Sequence, residues 1–521
     1  MKRRQFLAGT AALAAPRLAT AAGRALRFIP YVDLAILDPM INTATQTRTH
    51  GYAVFDTLYG MDSHYRPRPQ MLEGDLAEDD GRVWTLTLRP GLRFHDGEAV
   101  LARDVVASVR RWAARDEFGE TLMEATDSLE ALDDRRLRFR MKHRFSLLPD
   151  ALGKLAPTMP AIMPARLAAT DPTKPVAEII GSGPYRFVAS ERVPGARNVY
   201  EAFAGYIPRD EAADLTAGGK RALVQRVEWL TMPDAATAAA TIQSGEADWW
   251  EGLTPDLMPL MRRARDVRVE ILDRTGVMPI LRFNCLQKPF DNAAIRRATL
   301  AAIEQRAFVS AYSSDPTLWN VPVGIFPPGL PMANDAGLAG RFGVPDLAAA
   351  RQAVLAAGYN GERVVVMNPT DHPVNTVMAQ VAADVFAKIG LKVDLVSMDA
   401  GTMFQRRANR ADVDHGGWSC FPSMINAMDS SDPAVSFLTR GNGAKAWYGW
   451  PTSPEVEALR NAWLVAPDLA ARQSLCRDLQ SQIFTDAPYA PLGQIFQPNA
   501  IRLSVTDILP GFPKFWNVKL G

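Results

Sequence analysis

The chain has 521 residues and a formal net charge of +1; 47% of its residues are hydrophobic and 22% are charged. A single domain usually has about 100–200 residues, so this length predicts two or more compact units with ample core. The near-neutral charge excludes a basic nucleic-acid-binding protein, and the composition excludes a disordered chain or a multi-span membrane protein.

The N-terminus has the features of an export signal. Lys2 and the pair Arg3-Arg4 precede Phe6-Leu7, and a weakly apolar run rich in small residues follows. Residues 1–22 are therefore predicted to be a signal peptide, and the paired arginines favour a twin-arginine signal over an ordinary secretory one. The mature protein is expected in the periplasm, with a small negative charge and without a terminal cysteine that could carry a lipid.

Metal and cofactor signals are weak in this sequence. The three cysteines, Cys285, Cys420 and Cys476, have no CxxC spacing, and the six histidines are scattered. We therefore expect no metal, no cofactor and at most one disulfide bond. After the signal no apolar run approaches the roughly 18 residues that span a bilayer, so the mature chain is expected to be soluble.

The clearest local pattern begins near residue 80. A half-buried strand is predicted where apolar residues alternate with threonines, at Trp84, Leu86 and Leu88. A helix is predicted to lie back on that sheet from Leu101, with Val105, Val109 and Trp112 on one face. The segment 131–141 repeats the strand pattern and is expected to form a neighbouring strand of the same small domain.

The second half of the chain contains a crossover unit. Residues 363–367 and 391–396 are predicted strands, and residues 374–389 are a predicted helix with Val377, Val381, Val385 and Ile389 on one apolar stripe. In such parallel sheets ligands approach the carboxyl ends of strands, so the loop at 368–372 is predicted to face a cleft. Two further helices are predicted at 291–308, opened by Asp291, and at 346–357, opened by Asp346.

The sequence of residues 73–112 resembles that of the family 5 extracellular solute-binding proteins of ABC importers, which bind dipeptides, oligopeptides and nickel. The motif WTLTLRPGLRFHDGEAVLARDV accounts for most of this resemblance. Further segments occur in the order that the family has: LDP at 37–39, GSGPY at 181–185, QSGEAD at 243–248, PFD at 289–291 and AAGY at 356–359.

This resemblance implies a bilobal α/β periplasmic-binding-protein fold with a hinge and an extra small α+β domain inserted in lobe one. Lobe one is expected to combine residues 23–52, 176–270 and 495–521. The inserted domain is expected at 53–175, and lobe two at 271–494. The implied function is capture of a small solute, most simply a peptide or peptide-like compound, by lobe closure and its delivery to the membrane permease of an ABC importer. The protein is expected to act as a monomer and not as an enzyme.

Aromatic residues surround two acids in the segment 416–450. In peptide-binding relatives an Asp four residues before a Pro captures the α-amino group of the ligand, and Asp429 before Pro433 matches that position. Trp418, Phe421 and Trp447 are predicted to form aromatic walls around it. The alternative is that Asp429 only caps the turn that follows it.

The resemblance implies that the segment TATQTRT at 43–49 forms a loop at the cleft edge, where Thr45 and Gln46 could donate and accept hydrogen bonds and Arg48 could bind a ligand carboxylate. The alternatives are a solvated helix N-terminus and a surface arginine.

Two other functions stay open at this point: a nickel-chelate or other non-peptide binder, and a periplasmic enzyme or folding helper on the same scaffold. The chain has no GxSxG or P-loop motif, which argues against the enzyme, and His95 in FHDG is read as a turn residue.

Overall fold

A computed structural model describes residues 24–521 of the chain. The predicted signal peptide lies outside these residues. No helix in the described part is long and apolar enough to cross a membrane. The three cysteines are free, with Cys285 half-buried and Cys420 and Cys476 buried.

The strands, in chain order, are β1 (Leu26–Ile29), β2 (Tyr59–Met61), β3 (Pro67–Pro69), β4 (Leu72–Glu78), β5 (Val83–Leu88), β6 (Thr126–Ala131), β7 (Arg136–Met141), β8 (Tyr185–Phe187), β9 (Arg197–Ala202), β10 (Arg226–Leu230), β11 (Trp249–Trp250), β12 (Val267–Glu270), β13 (Val277–Phe283), β14 (Trp319–Asn320), β15 (Arg363–Pro369), β16 (Lys392–Met398), β17 (Cys420–Asn426), β18 (Tyr489–Pro491), β19 (Gln494–Ile495), β20 (Asn499–Arg502), β21 (Val505–Thr506) and β22 (Lys519–Leu520). The α-helices are α1 (Thr45–Val54), α2 (Ala102–Ala113), α3 (Glu117–Ala125), α4 (Leu148–Gly153), α5 (Ala165–Ala168), α6 (Ala235–Ser244), α7 (Met258–Arg263), α8 (Ala293–Ala301), α9 (Gln305–Tyr312), α10 (Leu347–Ala356), α11 (Pro373–Lys388), α12 (Ala400–Arg406), α13 (Pro454–Leu464) and α14 (Leu469–Asp486).

The first lobe is built on a mixed sheet with strand order β12-β20-β11-β1-β10-β9-β8. Its central strand β1 is parallel to β10 and β11, and β20 comes from near the C-terminus. Both ends of the chain therefore contribute to one sheet. Phe28 lies at the centre of its core, with its ring 5.4 Å from that of Trp229 and 5.2 Å from those of Trp249 and Phe515.

A separate antiparallel sheet, β4-β5-β7-β6, lies between β1 and β8 in sequence. The predicted alternation is confirmed, because Trp84, Leu86 and Leu88 of β5 are buried and β5 pairs directly with β7. Helix α2 buries the predicted face at Val105, Val109 and Trp112.

The turn role of His95 is also confirmed. Its Nδ1 accepts a hydrogen bond from the Gly181 amide at 3.4 Å, and its Nε2 lies 3.0 Å from the Gly183 carbonyl. This imidazole ties the FHDG turn to the GSGPY segment.

The second lobe is built on a sheet ordered β14-β19-β13-β17-β15-β16, with β18 also paired to β13. The predicted crossover unit is confirmed, since β15 and β16 are parallel and joined by α11. The predicted apolar stripe on α11 lies at the edge of the buried face. Val377, Val381 and Val385 are half-buried against the core and Ile389, directly after the helix, is fully buried, whereas Val374, Met378, Ala382 and Phe386 form the buried face. When a helix is apolar around much of its circumference, the spacing of its apolar residues does not identify which face packs inward.

The predicted helix at 291–308 is two helices, α8 and α9, separated by Ala302, Ile303 and Glu304. Its cap is Asn292, whose side chain accepts from the Ala294 amide at 2.9 Å, and not Asp291. The Asp346 cap of α10 is confirmed by its 2.9 Å hydrogen bond from the Ala349 amide. The domain boundaries expected from the sequence stay a prediction.

Candidate ligand-binding cleft

A cavity of about 720 Å³ lies between the two lobes, and both lobes and the four-stranded-sheet region contribute to its walls. Lobe one supplies Gln46 and Arg48 of α1, Glu251 after β11 and Phe512 near the C-terminus. A cavity of this size suits a solute of a few amino-acid residues or a similar small molecule.

The segment 43–49 lies at this cavity as expected, although it is not a loop throughout. Helix α1 begins at Thr45, and Thr43, Thr45, Gln46 and Arg48 line the cavity. Thr45 Oγ1 donates to Gln46 Oε1 at 2.8 Å, and Gln46 Nε2 donates to Glu251 Oε2 at 3.3 Å. The Gln46 amide is therefore held in place by groups on both sides.

The alternative of a surface arginine at position 48 is wrong, because Arg48 is only 3% exposed. Its guanidinium lies 4.6 Å above the Phe512 ring. Its Nε and Nη1 are buried and have no hydrogen-bond partner among residues 24–521. A buried donor without a partner is costly unless something else satisfies it.

Asp429 lies in a short 3-10 turn directly after β17 and lines the cavity. Its Oδ1 is buried and finds no hydrogen-bond donor in the described chain. Burial raises the pKa of Asp429 to about 7, against the opposing effect of the nearby charges of Arg48 and Lys154. Asp429 thus lines a solute-sized cavity and keeps one buried carboxylate oxygen without a donor in the described chain.

The alternative role of Asp429 was to cap the turn that follows it, but two other residues make the contacts of this turn. The turn is capped by Asn426, whose side chain accepts from the Met428 amide at 3.0 Å. Asp432 Oδ1 accepts from the Ala434 amide at 2.8 Å and the Val435 amide at 3.2 Å. Within the described residues Asp429 makes no such bond, so local turn chemistry does not explain its presence.

The predicted aromatic residues fall into two layers. Trp447 lines the cavity and packs on Phe437 with ring centroids 4.9 Å apart. Trp418 and Phe421 are fully buried and lie behind Trp447, with the Phe421 ring 5.6 Å from it. Their predicted direct contact with a ligand is therefore not supported, since strand β17 and its lead-in turn these side chains into the lobe.

The loop at 368–372 reaches the cavity through His372, as the carboxyl-end rule predicts. His372 caps α11 by accepting from the Asn375 amide at 3.4 Å, and burial lowers its pKa. Glu251 and Arg407 also line the cavity, and neither lies in a sequence motif that predicts such a position. Burial raises the pKa of Glu251, whose Oε2 accepts from the Tyr31 amide at 3.1 Å.

One group of three potential metal ligands, Asp62, His64 and Asp214, lies apart from this cavity. Asp62 already accepts from Arg68 Nε at 2.9 Å and from the His64 amide at 2.9 Å. These bonds make Asp62 a turn residue.

The two sides of the cavity touch through polar contacts beyond it. Arg440 of lobe two pairs with Glu117 of α3 at 3.1 Å. Arg472 of α14 donates to Ser146 at 3.0 Å, and Arg460 of α13 lies 3.5 Å from Thr121. These three contacts join the two sides of the cavity.

The family model for bacterial extracellular solute-binding proteins, family 5, matches residues 66–443. This chain belongs to that family. A probable peptide ABC transporter periplasmic-binding protein of Sinorhizobium fredii is 36% identical over 98% of this chain and 97% of its own length. The chain is thus a solute-binding protein of an ABC importer, with a small solute as its ligand and a membrane permease as its partner.

Two solved structures show the same bilobal fold. PBP AgaA of Agrobacterium tumefaciens R10 in complex with agropinic acid has a TM-score of 0.78 and 20% identity, covering 96% of this chain and 99% of its own. DppA of Helicobacter pylori in complex with the peptide STSA has a TM-score of 0.77 and 19% identity, covering 95% of this chain and 98% of its own.

Proposed function

We propose that this protein is a monomeric periplasmic receptor for a small peptide or peptide-like compound that carries a free amine. Lobe closure encloses the solute, and the closed form delivers it unchanged to the permease. The relative from Sinorhizobium fredii, whose name specifies peptide transport, and the peptide complex of the Helicobacter pylori protein support the ligand class.

The observation that carries this proposal is the unpartnered carboxylate of Asp429. An ammonium group placed about 4 Å from a carboxylate gains roughly 4 kcal/mol at an effective dielectric of 20, against about 1 kcal/mol in water. A ligand amine would both gain this interaction and satisfy the buried Oδ1. Because the pKa of Asp429 is raised to about 7, a cationic partner also removes the cost of keeping the acid ionised.

The remaining walls fit the rest of a small peptide. Arg48 offers two unused nitrogen atoms to a carbonyl or carboxylate oxygen, and Gln46 presents an amide at the same wall. Trp447 and Phe437 form an apolar face on lobe two. Polar groups that fix orientation within an aromatic cleft are typical of small-molecule sites.

We expect lobe closure because the residues that would contact the solute are divided between the two lobes. Arg48 and Gln46 belong to lobe one, whereas Asp429 and Trp447 belong to lobe two, so one solute can contact both sets only when the lobes approach each other. A ligand shifts the open-closed equilibrium by the difference in its contacts with the two states.

Native mass spectrometry of the protein isolated from a periplasmic extract tests the proposal. We expect a co-purifying compound of peptide-like mass, and we expect short peptides to bind while their N-acetylated counterparts bind at least about 10-fold more weakly. A bound solute without an amine, or equal affinity for acetylated peptides, would overturn the assignment of ligand class. Recovery of the solute in chemically altered form would instead favour an enzyme.

A further inference from the structure

A second cavity, of about 630 Å³, adjoins the ligand cavity. Its lining comes from α4 and the turn between β2 and β3 on one side, and from α13, α14 and the segment after β17 in lobe two on the other. Phe118, Lys154 and Val435 line both cavities. Arg472 of α14 donates to Ser146, shortly before α4, at 3.0 Å. The second cavity therefore lies where the two sides of the cleft meet.

Asp150 of α4 lines this second cavity, and its carboxylate has no partner on another residue. No cation forms an ion pair with it in residues 24–521, and it accepts there only from its own backbone amide. Other acids of this region are paired directly, Asp116 with Lys154 and Asp56 with Lys220 at 2.7 Å. A structural ion pair thus explains those acids but does not explain Asp150.

A second carboxylate, that of Asp432, lines the same cavity from lobe two. Its Oδ1 accepts from the Ala434 and Val435 amides, and its Oδ2 accepts from Ser431 Oγ at 3.0 Å. Burial raises the pKa of Asp432, and these donors oppose that effect because they favour the ionised form. The bonds also hold the carboxylate in place. Two acids from different sides of the cleft therefore share one cavity.

The surroundings of Asp150 disfavour its ionised form. Burial raises its pKa to about 6, the charge of Arg472 opposes this rise, and the charge of Asp432 adds to it. Arg472 donates to Ser146 and lies 5.6 Å above the Trp463 ring, and it forms no ion pair with Asp150. The other ionisable groups on the elements around Asp150 and the second cavity are Tyr59, His64, Arg66, Asp75, Asp116, Glu117, Lys154 and Cys476.

We propose that Asp150 is a proton-sensitive contact between the two sides of the cleft, ionised when the lobes are apart and protonated when they meet. This inference rests on the lobe closure proposed above, but not on the class of ligand. With the lobes apart we expect Asp150 to face water, where the ordinary pKa of an aspartate is 3.8, against about 6 in the structure. The lobes bind more protons together than apart between these values, so acid favours closure. From pH 7 to pH 5 the equilibrium constant for closure should rise by about 10-fold.

The titration of Asp429 in the neighbouring ligand cavity has to be separated from that of Asp150. The pKa of Asp429 is raised to about 7, and protonation of this residue should weaken the binding of a ligand amine. Protonation of Asp150 should instead promote closure and so strengthen binding. The ratio of the affinities of Asp150→Asn and the wild type cancels the effect of Asp429, because both proteins retain it.

The test uses the full mature protein as wild type, as Asp150→Asn and as the matched control Asp127→Asn, which changes an exposed acid of β6. Calorimetry with the dipeptide Ala-Ala measures affinity at pH 7 and pH 5. Small-angle scattering of the ligand-free protein measures its radius of gyration at the same two pH values, also for Asp429→Asn with and without Asp150→Asn. Thermal unfolding verifies that each variant is folded.

We expect Asp150→Asn to bind Ala-Ala more tightly than the wild type at pH 7, because the Asn side chain is neutral at both pH values. This advantage should shrink by about 10-fold at pH 5, where Asp150 of the wild type is mostly protonated when the lobes meet. Ligand-free Asp429→Asn should become more compact in acid, whereas the double variant should not. Asp127→Asn should match the wild type throughout.

An equal advantage of Asp150→Asn at both pH values would show a packing role and overturn the inference. Acid compaction that persists in the double variant would assign the effect to other groups and overturn it as well. The same holds if folded Asp429→Asn shows no acid compaction and the affinity ratio does not change with pH.

The outcomes separate this inference from the proposed function. If Ala-Ala binds no form of the protein, the peptide assignment fails, and the scattering comparison still decides the role of Asp150. If Ala-Ala binds but the affinity ratio is the same at pH 7 and pH 5, the peptide assignment stands and the inference about Asp150 fails.

Discussion

Arg440 and Glu117, which are 323 residues apart in the chain, form an ion pair of 3.1 Å that joins lobe two to helix α3. The Arg440 side chain is 17% exposed, and the same guanidinium contacts Glu457 of its own lobe at 3.2 Å. The pair with Glu117 thus joins the two sides of the cavity, and we expect it to separate when the two lobes move apart. Its contribution to closure should be small, as it is for partly exposed ion pairs.

Glu117→Gln should weaken ligand binding by about 2- to 5-fold, because a pair of this kind contributes about 1 kcal/mol or less to the closed state. Calorimetry measures the affinity, and small-angle scattering measures how open the ligand-free protein is. Glu457→Gln is the matched control, since it removes a contact within one lobe and should change closure less. Identical affinities for Glu117→Gln and the wild type would contradict a role in closure.

Asp429→Asn should reduce the affinity for amine-bearing ligands by about 2 kcal/mol or more, because it removes one partner of a buried charge pair. Calorimetry with the co-purified solute or a short peptide measures the change. Asp432→Asn serves as the control, since an Asn can still accept the two turn amides that Asp432 accepts. Unchanged affinity in Asp429→Asn would remove this residue from the amine site.

Ligand affinity should depend on pH through Asp429. The pKa of this carboxyl is raised to about 7 by burial in the ligand-free protein, and a bound ammonium would lower it. Binding then releases a proton below that pH, so the affinity should fall by up to about 10-fold per pH unit as the pH drops below about 7. Calorimetry between pH 8 and pH 5 would show this slope in the wild type and a flatter profile in Asp429→Asn; equal slopes would assign it to other groups.

The ligand-free protein should become more stable when Asp429 is replaced by Asn. The folded pKa of about 7 exceeds the ordinary value of 3.8, so ionisation of this acid destabilises the folded protein. This destabilisation is absent below about pH 4 and reaches its full size above about pH 7. This shift corresponds to at most about 4 kcal/mol, and access of solvent to the cavity reduces the expected gain to about 1–2 kcal/mol at pH 8. Denaturant unfolding at pH 8 and pH 4 measures it, and an equal gain at both values would point to another cause.

Trp447 and Trp418 should respond differently to truncation. Trp447→Ala removes a cavity wall and should weaken ligand binding by about 10-fold with a smaller loss of stability. Trp418→Ala removes a fully buried side chain and should cost about 3–5 kcal/mol of unfolding free energy. Paired denaturation and binding curves distinguish the two, and a binding defect in a Trp418→Ala variant of normal stability would place this residue in the site.

Local sequence patterns predicted several elements of this fold correctly. The alternation in β5, the apolar face of α2 and the crossover from β15 to β16 follow from side-chain periodicity, which a short segment contains by itself. The buried face of α11 and the break between α8 and α9 depend on what packs against each helix, so the same periodicity did not resolve them.

The candidate site was only partly predictable for a related reason. Resemblance to the family pointed to Asp429, and composition pointed to the aromatic segment around Trp447. Whether Trp418 or Trp447 faces the cavity depends on the path of the chain around β17. Arg407 carries no sequence signal, because its environment comes from rings on separate segments and from the lack of a carboxylate near it in the described chain.

The family, the periodic strands and helices, and the carboxylate expected to receive an amine could be inferred from the chain alone, because each depends on residues that are close in sequence. Tertiary packing buries Arg48 beside Phe512 and surrounds Arg407 with rings, and among residues 24–521 it leaves Asp429 without a turn contact and Arg407 without an acid. Those properties depend on burial and on which partners are close in space, and both arise only when distant segments pack together.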